Sequence, residues 1–311
     1  MRVLGLSAGA PDGSAEIILK EALRGAQDAG ADVELVRLRD LVLTSGPDAS
    51  SDDADWFWDR LMDSDGLIVS SPIYSRTVPG LLRLLGDKIS GPQSDVAFTS
   101  ELLRMRAEGT PISVDFAIDE RVLRPRVAGF LAVGGSLPSR WKTLTLPIMH
   151  TLTASAQIAV VDQVEFAGAG SPASIVLDAE ALERSRRLGF TVGEQLGRSY
   201  EDAQYRGEPG ACPLCHLSVV ALIGTHAECA TCGAVGVLRQ NDGAMTLELT
   251  AEGALRSILS LHEKVDHFHE VQQTAARHAP LREKIDSAKD EYAAWDPRVF
   301  PSTPVIPRRQ S

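Results

Sequence analysis

An α/β fold built on a five-stranded, doubly wound parallel sheet is predicted by two features of residues 1–199. Short apolar runs alternate with stretches of helical period, the rhythm of strand–helix–strand units. The loops after three of these runs are rich in Gly, Ser and Pro, at the carboxyl ends of strands where such sheets bind ligands. A third feature, four cysteines confined to positions 212–232, predicts a separate small module.

The first strand is Val3–Leu6, an unbroken apolar run. A helix follows over Ser14–Ala29, with Ile17, Ile18, Leu19, Leu23 and Ala26 along one side. Ala31–Leu38 gives the second strand, with Val33, Leu35 and Leu38 apolar. Asp52 and Asp53 open a helix containing Trp56, Phe57, Leu61 and Met62, where acidic side chains suit the positive end of the dipole. With Asp48 and Asp55 they read as caps and a solvated face. Gly66–Ser70 is a short buried strand, and Pro79 falls in the first turn of the next helix, where its missing N–H removes no bond. Gly91–Arg124 is long for a plain connection and reads as an insertion near the ligand loops, helical over Ser100–Glu108. Val127–Val133 is the fourth strand, Thr143–Ala156 a helix kinked by Pro147, Ile158–Val161 the fifth strand, and Ala179–Gly197 the closing helix. Gly207–Gly210 is a linker, and Ala251–Trp295 is a helical stretch that Pro280 breaks in two. Pro297, Pro301, Pro304 and Pro307 mark an extended tail. The expected division is a domain over 1–205 with an insertion at 91–125, a cysteine module over 206–250, and a helical extension with a Pro-rich tail over 251–311.

Hydrophobic residues make up 44% of the chain, enough for a real core. The net charge of −11 argues against a nucleic-acid surface, which shows a basic face. The longest apolar runs, Gly66–Val69 and Val219–Ile223, fall far short of the roughly 20 residues a membrane span needs. No secretory leader is apparent at the N-terminus. The expectation is a cytoplasmic protein with no membrane and no nucleic-acid partner.

Three loops carry the candidate chemistry. The first, from Ser7 to Ala15, joins a strand to a helix. Backbone N–H groups at that helix start favour a phosphate; Gly9 and Gly13 let the backbone approach, and Ser7, Asp12, Ser14 and Ala15 complete the loop. Its plain reading is a turn with Ser14 as N-cap. The second loop holds Pro72, Ile73 and Tyr74, an apolar platform for a flat ring, and Ser75, Arg76 and Thr77, which offer polar contacts to the ring edge. The third holds Gly134 and Gly135, whose missing side chains permit close approach, then Ser136 and Trp141, placed to flank the same pocket.

Together these loops resemble those of the flavodoxin-like NAD(P)H-dependent FMN reductases, in particular the branch that includes the iron–sulfur flavoproteins. That branch opens with a Gly-x-Ser loop ending in Gly-Asn-Thr-Glu; here the run is Gly5-Leu6-Ser7 to Gly13-Ser14-Ala15-Glu16. Its Asp-Asp helix, Ala-Asp-Gly-Ile, Ser-Pro-Val-Tyr and Asp-Arg correspond to Asp52-Asp53, Ser64-Asp65-Gly66-Leu67, Ser71-Pro72-Ile73-Tyr74 and Asp87-Lys88. The resemblance covers residues 1–199. It implies bound FMN, NAD(P)H as co-substrate, hydride transfer to a small acceptor (a flavin, a quinone or a biosynthetic intermediate), and a homodimer or tetramer. Arg76 would stabilise the negative charge of the reduced ring. The family's first-loop Arg is absent and Ala15 replaces a hydroxyl residue, so phosphate contacts are fewer. The loop Leu41–Ser51, where the branch carries its cluster cysteines, has none. The alternative is a flavin-binding electron-transfer or interaction protein without NAD(P)H turnover.

Cys212 and Cys215, then Cys229 and Cys232, form two C-x2-C pairs with 13 residues between them, a spacing that suits a tetrahedral metal. Zinc is the leading reading and rubredoxin-like iron the alternative, with two disulfides behind both. Against iron, His216 stands where the first rubredoxin knuckle usually has Gly. His262 and His269 share a helix face that reads as solvated rather than metal-binding, and His150 is a core histidine or lines the flavin pocket.

Overall fold

The computed structural model describes residues 1–44, 52–241 and 243–299; Asp48 and the tail prolines Pro301, Pro304 and Pro307 lie outside the described residues. Five parallel strands form the main sheet: β1 (Arg2–Ser7), β2 (Asp32–Arg37), β3 (Gly66–Pro72), β4 (Val127–Val133) and β5 (Ala159–Phe166), in the spatial order β2-β1-β3-β4-β5. This is the flavodoxin-like arrangement. The three central strands are buried along nearly their whole length, which is why they read as continuous apolar runs.

Side chains alternate between the two faces of each strand, so each face has its own core. Leu4, Leu6 and Phe130 meet α2 (Ala54–Met62), α3 (Gly80–Ile89) and α5 (Thr145–His150). Val3, Ile68 and Leu131 meet α1 (Ser14–Asp28) and α6 (Ala179–Glu194). The last two helices touch backbone to backbone. A Cβ on Gly189 would lie 1.6 Å from the Ala22 carbonyl oxygen, and one on Gly25 1.9 Å from that of Arg186.

Helix α5 and strand β5 depart from expectation for clear reasons. Helix α5 ends at His150, and turns carry the chain to Gln157, whose φ is +51°. Pro147 is the third residue of α5, where an N–H has no helical acceptor, so it does not act as a kink. Strand β5 runs to Phe166, beyond the apolar run, because its polar residues are paired. Asp162 accepts from Arg184 at 2.9 Å, Glu165 pairs with Lys142 at 2.8 Å, and Gln163 is bonded on both sides of its amide.

The insertion leaves the end of α3 and returns at the start of β4. Both points lie at the amino edge of the sheet, so it does not border the ligand loops. Its helix α4 (Val96–Glu108) starts earlier than expected because Asp95 caps it, accepting from Ala97 and Phe98 N–H at 2.8 and 3.1 Å. It packs against the C-terminal extension, where Phe98 meets Phe268 edge-on at 5.1 Å.

The second sheet is a four-stranded antiparallel ribbon of β6 (Val220–Ile223), β7 (His226–Cys229), β8 (Val235–Asn241) and β9 (Ala244–Leu249). Helices α7 (Ala251–Leu255), α8 (Leu261–His278) and α9 (Arg282–Ala294) follow, with Pro280 between the last two. Among the described residues, no helix is long and apolar enough to cross a membrane.

Candidate active site and metal centre

Strands β1, β3 and β4 end side by side, so their loops leave from one edge. The Ala8 N–H donates to the Ser70 carbonyl at 2.9 Å, and the Ser70 hydroxyl donates to the Ala15 carbonyl at 2.7 Å. The first loop is thereby tied to the second and to the start of α1. Gly13, not Ser14, is the N-cap, and no side chain caps the helix. The first-turn N–H groups of Ser14, Ala15 and Glu16 have no helical acceptors and point at the loop. A Cβ on Gly9 would lie 2.9 Å from that of Ala15, so the loop lies directly on the helix start. Asp12 adopts φ +55° and is exposed. Ser7 is fully buried, and its hydroxyl has no hydrogen-bond partner. This orphan hydroxyl and the unpaired donors fit an anion.

The first turn of α1 also carries a buried carboxylate. Glu16 accepts from Arg37 Nε and Nη2, both at 2.9 Å, and pairs with Lys20 at 2.7 Å. The Arg37 guanidinium holds its pKa down at about 2. The cations neutralise a charge that would otherwise repel a phosphate. Sequence reading missed this pair because Arg37 lies 21 positions from Glu16, across the β1–β2 boundary.

Tyr74 and Thr77 exchange backbone hydrogen bonds at 2.9 and 3.0 Å, enclosing Ser75 (φ +48°) and Arg76 (φ +76°) in a tight turn. The Arg76 carbonyl accepts from Leu144 N–H at 3.1 Å and from the Thr145 hydroxyl at 3.2 Å, binding the turn to the start of α5. The Ile73 N–H donates to Val133 O at 2.9 Å. A Cβ on Gly134 would lie 3.1 Å from that of Ile73, and one on Gly135 2.9 Å from Gly170 Cα. Loops two and three therefore meet, joined by a fourth segment after β5 that sequence reading did not anticipate. Pro72, Ile73 and Thr77 are half-buried; Ser75, Arg76 and Ser136 are exposed. Tyr74 on the second loop and Leu137 and Trp141 on the third are large apolar side chains open to solvent, 51%, 74% and 52% exposed.

The other motif residues have structural partners. Asp52 pairs with Lys88 at 2.5 Å and accepts from Ala54 N–H at 2.9 Å, clipping the start of α2 to α3. His150 lies away from the loops, buried under Phe130 at 5.3 Å and bonded to Gln163 at 2.9 Å. His262 pairs with Asp266 at 3.3 Å and His269 approaches Glu101 at 3.6 Å, so the two do not converge.

Cys212, Cys215, Cys229 and Cys232 do converge. Their sulfurs lie within 4.8 Å of one another, with Cys212–Cys232 at 3.6 Å and Cys215–Cys229 at 3.4 Å, and all four are buried. Zinc–sulfur bonds of about 2.3 Å imply a tetrahedral edge of about 3.8 Å, so the donor set fits a metal ion. Each pair sits in a knuckle: His216 N–H donates to Cys212 O at 2.9 Å and Gly233 N–H to Cys229 O at 2.8 Å. His216 reaches the left-handed conformation (φ +58°) that glycine would supply, stacked on Tyr205 at 3.6 Å. Its presence in place of glycine therefore does not separate zinc from iron. The ribbon's buried core is the four cysteines, Ala227, Ala234 and Leu247, with Leu217, Leu238, Leu249 and Leu259 half-buried against it. A core this small is the setting in which a bound metal adds stability.

Two cavities lie near the amino edge of the sheet, away from the loops. One of about 260 Å³ is lined by His150, Tyr200, Tyr205 and Cys215. One of about 480 Å³ lies between α4 and α8, lined by Asp95, Phe98, Lys264 and His267. Lys264 is buried there, which pushes its pKa down to about 8, and it donates to the Ala154 carbonyl and the Gln157 amide. It docks α8 onto the main domain.

Residues 1–167 match the model of the family described as NADPH-dependent FMN reductase. The chain is 32% identical to flavone synthase cfoJ of Aspergillus candidus over 295 residues, covering 88% of this chain and 89% of that protein. It is 26% identical to an iron-sulfur flavoprotein of Methanocaldococcus jannaschii over 211 residues, 62% of this chain and 96% of that protein. A solved structure of a flavone reductase superposes with a TM-score of 0.82 at 29% identity, covering 97% of this chain and all of that one.

Proposed function

The chain belongs to the family of NADPH-dependent FMN reductases, and on that premise we propose an oxidoreductase that takes hydride from NAD(P)H through FMN and passes it to a planar acceptor of the flavone class. The observation that carries the reading is the convergence of the loops after β1, β3 and β4 on one edge, with the orphan Ser7 hydroxyl beneath it. The similar solved structure is a flavone reductase, which supports that acceptor over a free flavin or a quinone, and the relative called a flavone synthase supports the same ring class at the site.

In this reading Ser7, Gly9, Asp12, Gly13, Ser14 and Ala15 hold the FMN phosphate. Pro72, Ile73 and Tyr74 carry the ring. Ser75, Arg76, Thr77, Gly134, Gly135 and Ser136 border its polar edge, and Trp141 flanks it. The flavin, when bound, supplies the hydride chemistry, so no side-chain acid or base is needed for that step. The exposure of Tyr74, Leu137 and Trp141 on the two ring loops supports closure of the site by acceptor or by a second subunit of a homo-oligomer. Zinc in the four-cysteine site staples the ribbon, with rubredoxin-like iron the alternative. The units are 1–205, 206–250 and 251–311, and four clustered free thiols suit a cytoplasmic setting.

Anaerobic stopped-flow mixing tests the reading. FMN-loaded protein should lose its yellow absorbance on mixing with NADPH or NADH, and recover it on addition of a flavone. No bleaching with either nicotinamide rejects the enzyme. Bleaching with recovery by a quinone but not by a flavone rejects the acceptor.

A further inference from the structure

A single short helix bridges the four-cysteine site and the Tyr74–Thr77 turn. At its start, Leu144 N–H and the Thr145 hydroxyl hold the Arg76 carbonyl at 3.1 and 3.2 Å. At its end, His150 Nε2 lies 2.9 Å from Gln163 Oε1, and Gln163 Nε2 donates to the Cys215 carbonyl at 2.8 Å. His150 is 2% exposed, and burial lowers its pKa to about 4, so it is neutral. The Cys215 carbonyl can only accept, so the Gln163 amide nitrogen faces it and the amide oxygen faces His150. That oxygen also accepts, so the His150 proton sits on Nε2 and Nδ1 is left without a partner. The His150–Gln163–Cys215 stretch is directional and buried, and α5 spans only six residues, about 9 Å, to the surface turn.

We infer that His150 and Gln163 are positioning residues that couple the Cys215 knuckle to the turn bordering the ring site, so that metal at the cysteines and flavin at the loops each strengthen the binding of the other. The flavin half rests on the function proposed above. The link itself, from knuckle through α5 to the turn, rests on the hydrogen bonds alone. Reciprocity is required by linkage: whatever factor the metal contributes to flavin affinity, the flavin contributes to metal affinity.

The test uses the full zinc-loaded chain, Gln163→Met and His150→Phe. Gln163→Met keeps the length of the side chain and removes both bonds, whereas His150→Phe leaves the Cys215 bond. Hydrogen exchange at the Tyr74 and Thr77 amides reads the link without flavin. In Gln163→Met we expect exchange there to quicken about fivefold or more, the lower end of typical site coupling, while the α1 interior is unchanged. FMN titration and chelator competition read the coupling. In wild type, saturating FMN should raise zinc affinity by the same factor as zinc raises FMN affinity, and in both variants that factor should fall towards one. Unchanged exchange at the turn, or equal acceleration throughout the domain, overturns the link. An undiminished mutual factor in both variants overturns the role of His150 and Gln163. A turn that responds in a protein that binds no FMN leaves the link standing and rejects the flavin reading.

Discussion

Arg37 closes a two-pronged ion pair on Glu16, 2.9 Å at each contact, across the boundary between the end of β2 and the first turn of α1. The carboxylate is wholly inaccessible to solvent, and Lys20 approaches it from one turn further along. A negative charge therefore sits at the end of α1 that favours anions, already matched by two cations.

Glu16 sets an acid limit. Its pKa falls from an ordinary 4.5 to about 2 on folding. The stabilisation is complete above 4.5 and is lost as pH falls from there towards 2, on the order of 3 kcal/mol in all. Urea unfolding at pH 6 and pH 3 should show this drop in wild type. Glu16→Gln should be less stable at pH 6 and lose less between the two values; an equal drop in both proteins removes Glu16 from the account.

Ser7→Ala should move two measurements in opposite directions. With no partner for the hydroxyl, its removal should stabilise the flavin-free chain by up to about 1 kcal/mol. If the same hydroxyl meets the FMN phosphate, flavin binding should weaken roughly three- to tenfold. Thermal denaturation without flavin and fluorescence titration with FMN separate the two. Unaltered FMN affinity takes Ser7 out of the cradle.

Arg76→Ala should make the bound flavin harder to reduce. The turn is held by the carbonyl of residue 76, so the substitution leaves those contacts intact and removes only the exposed cation. Photoreduction against a reference dye should give a more negative midpoint potential. An identical potential excludes Arg76 from the ring's charge balance.

Cys215→Ser should abolish metal binding, from one ion per chain to none by elemental analysis. The ribbon should then open to limited proteolysis while the parallel sheet retains its circular dichroism, because the four thiols lie at the centre of the ribbon's small core. Zinc in the wild-type assay supports a structural staple. Iron, with its visible colour, would instead make the ribbon a redox centre.

The legible parts of this molecule were local. Val3–Leu6 and Val127–Val133 announced buried parallel strands, and the two C-x2-C pairs announced their own convergence. What escaped notice were contacts between distant positions. Asp162, Gln163 and Glu165 made β5 look finished at Val161, and only their partners Arg184, His150, Cys215 and Lys142 explain why the strand continues. Pro147 looked like a kink because the true start of α5 cannot be read without the Arg76 carbonyl that sets it. Asp52 and Lys88 stood out as motif residues, but nothing in the sequence says that they pair with each other.

The seam of Gly25 and Gly189 fixes α1 from behind, leaving no room for even a methyl group. With that side pinned, the start of the helix has little room to swivel or slide, so any site built on it is set in shape beforehand. Anyone seeking to retune this enzyme has a natural division of labour: make changes at the loop rim, as at the exposed Leu137, and leave the far side of the helix alone.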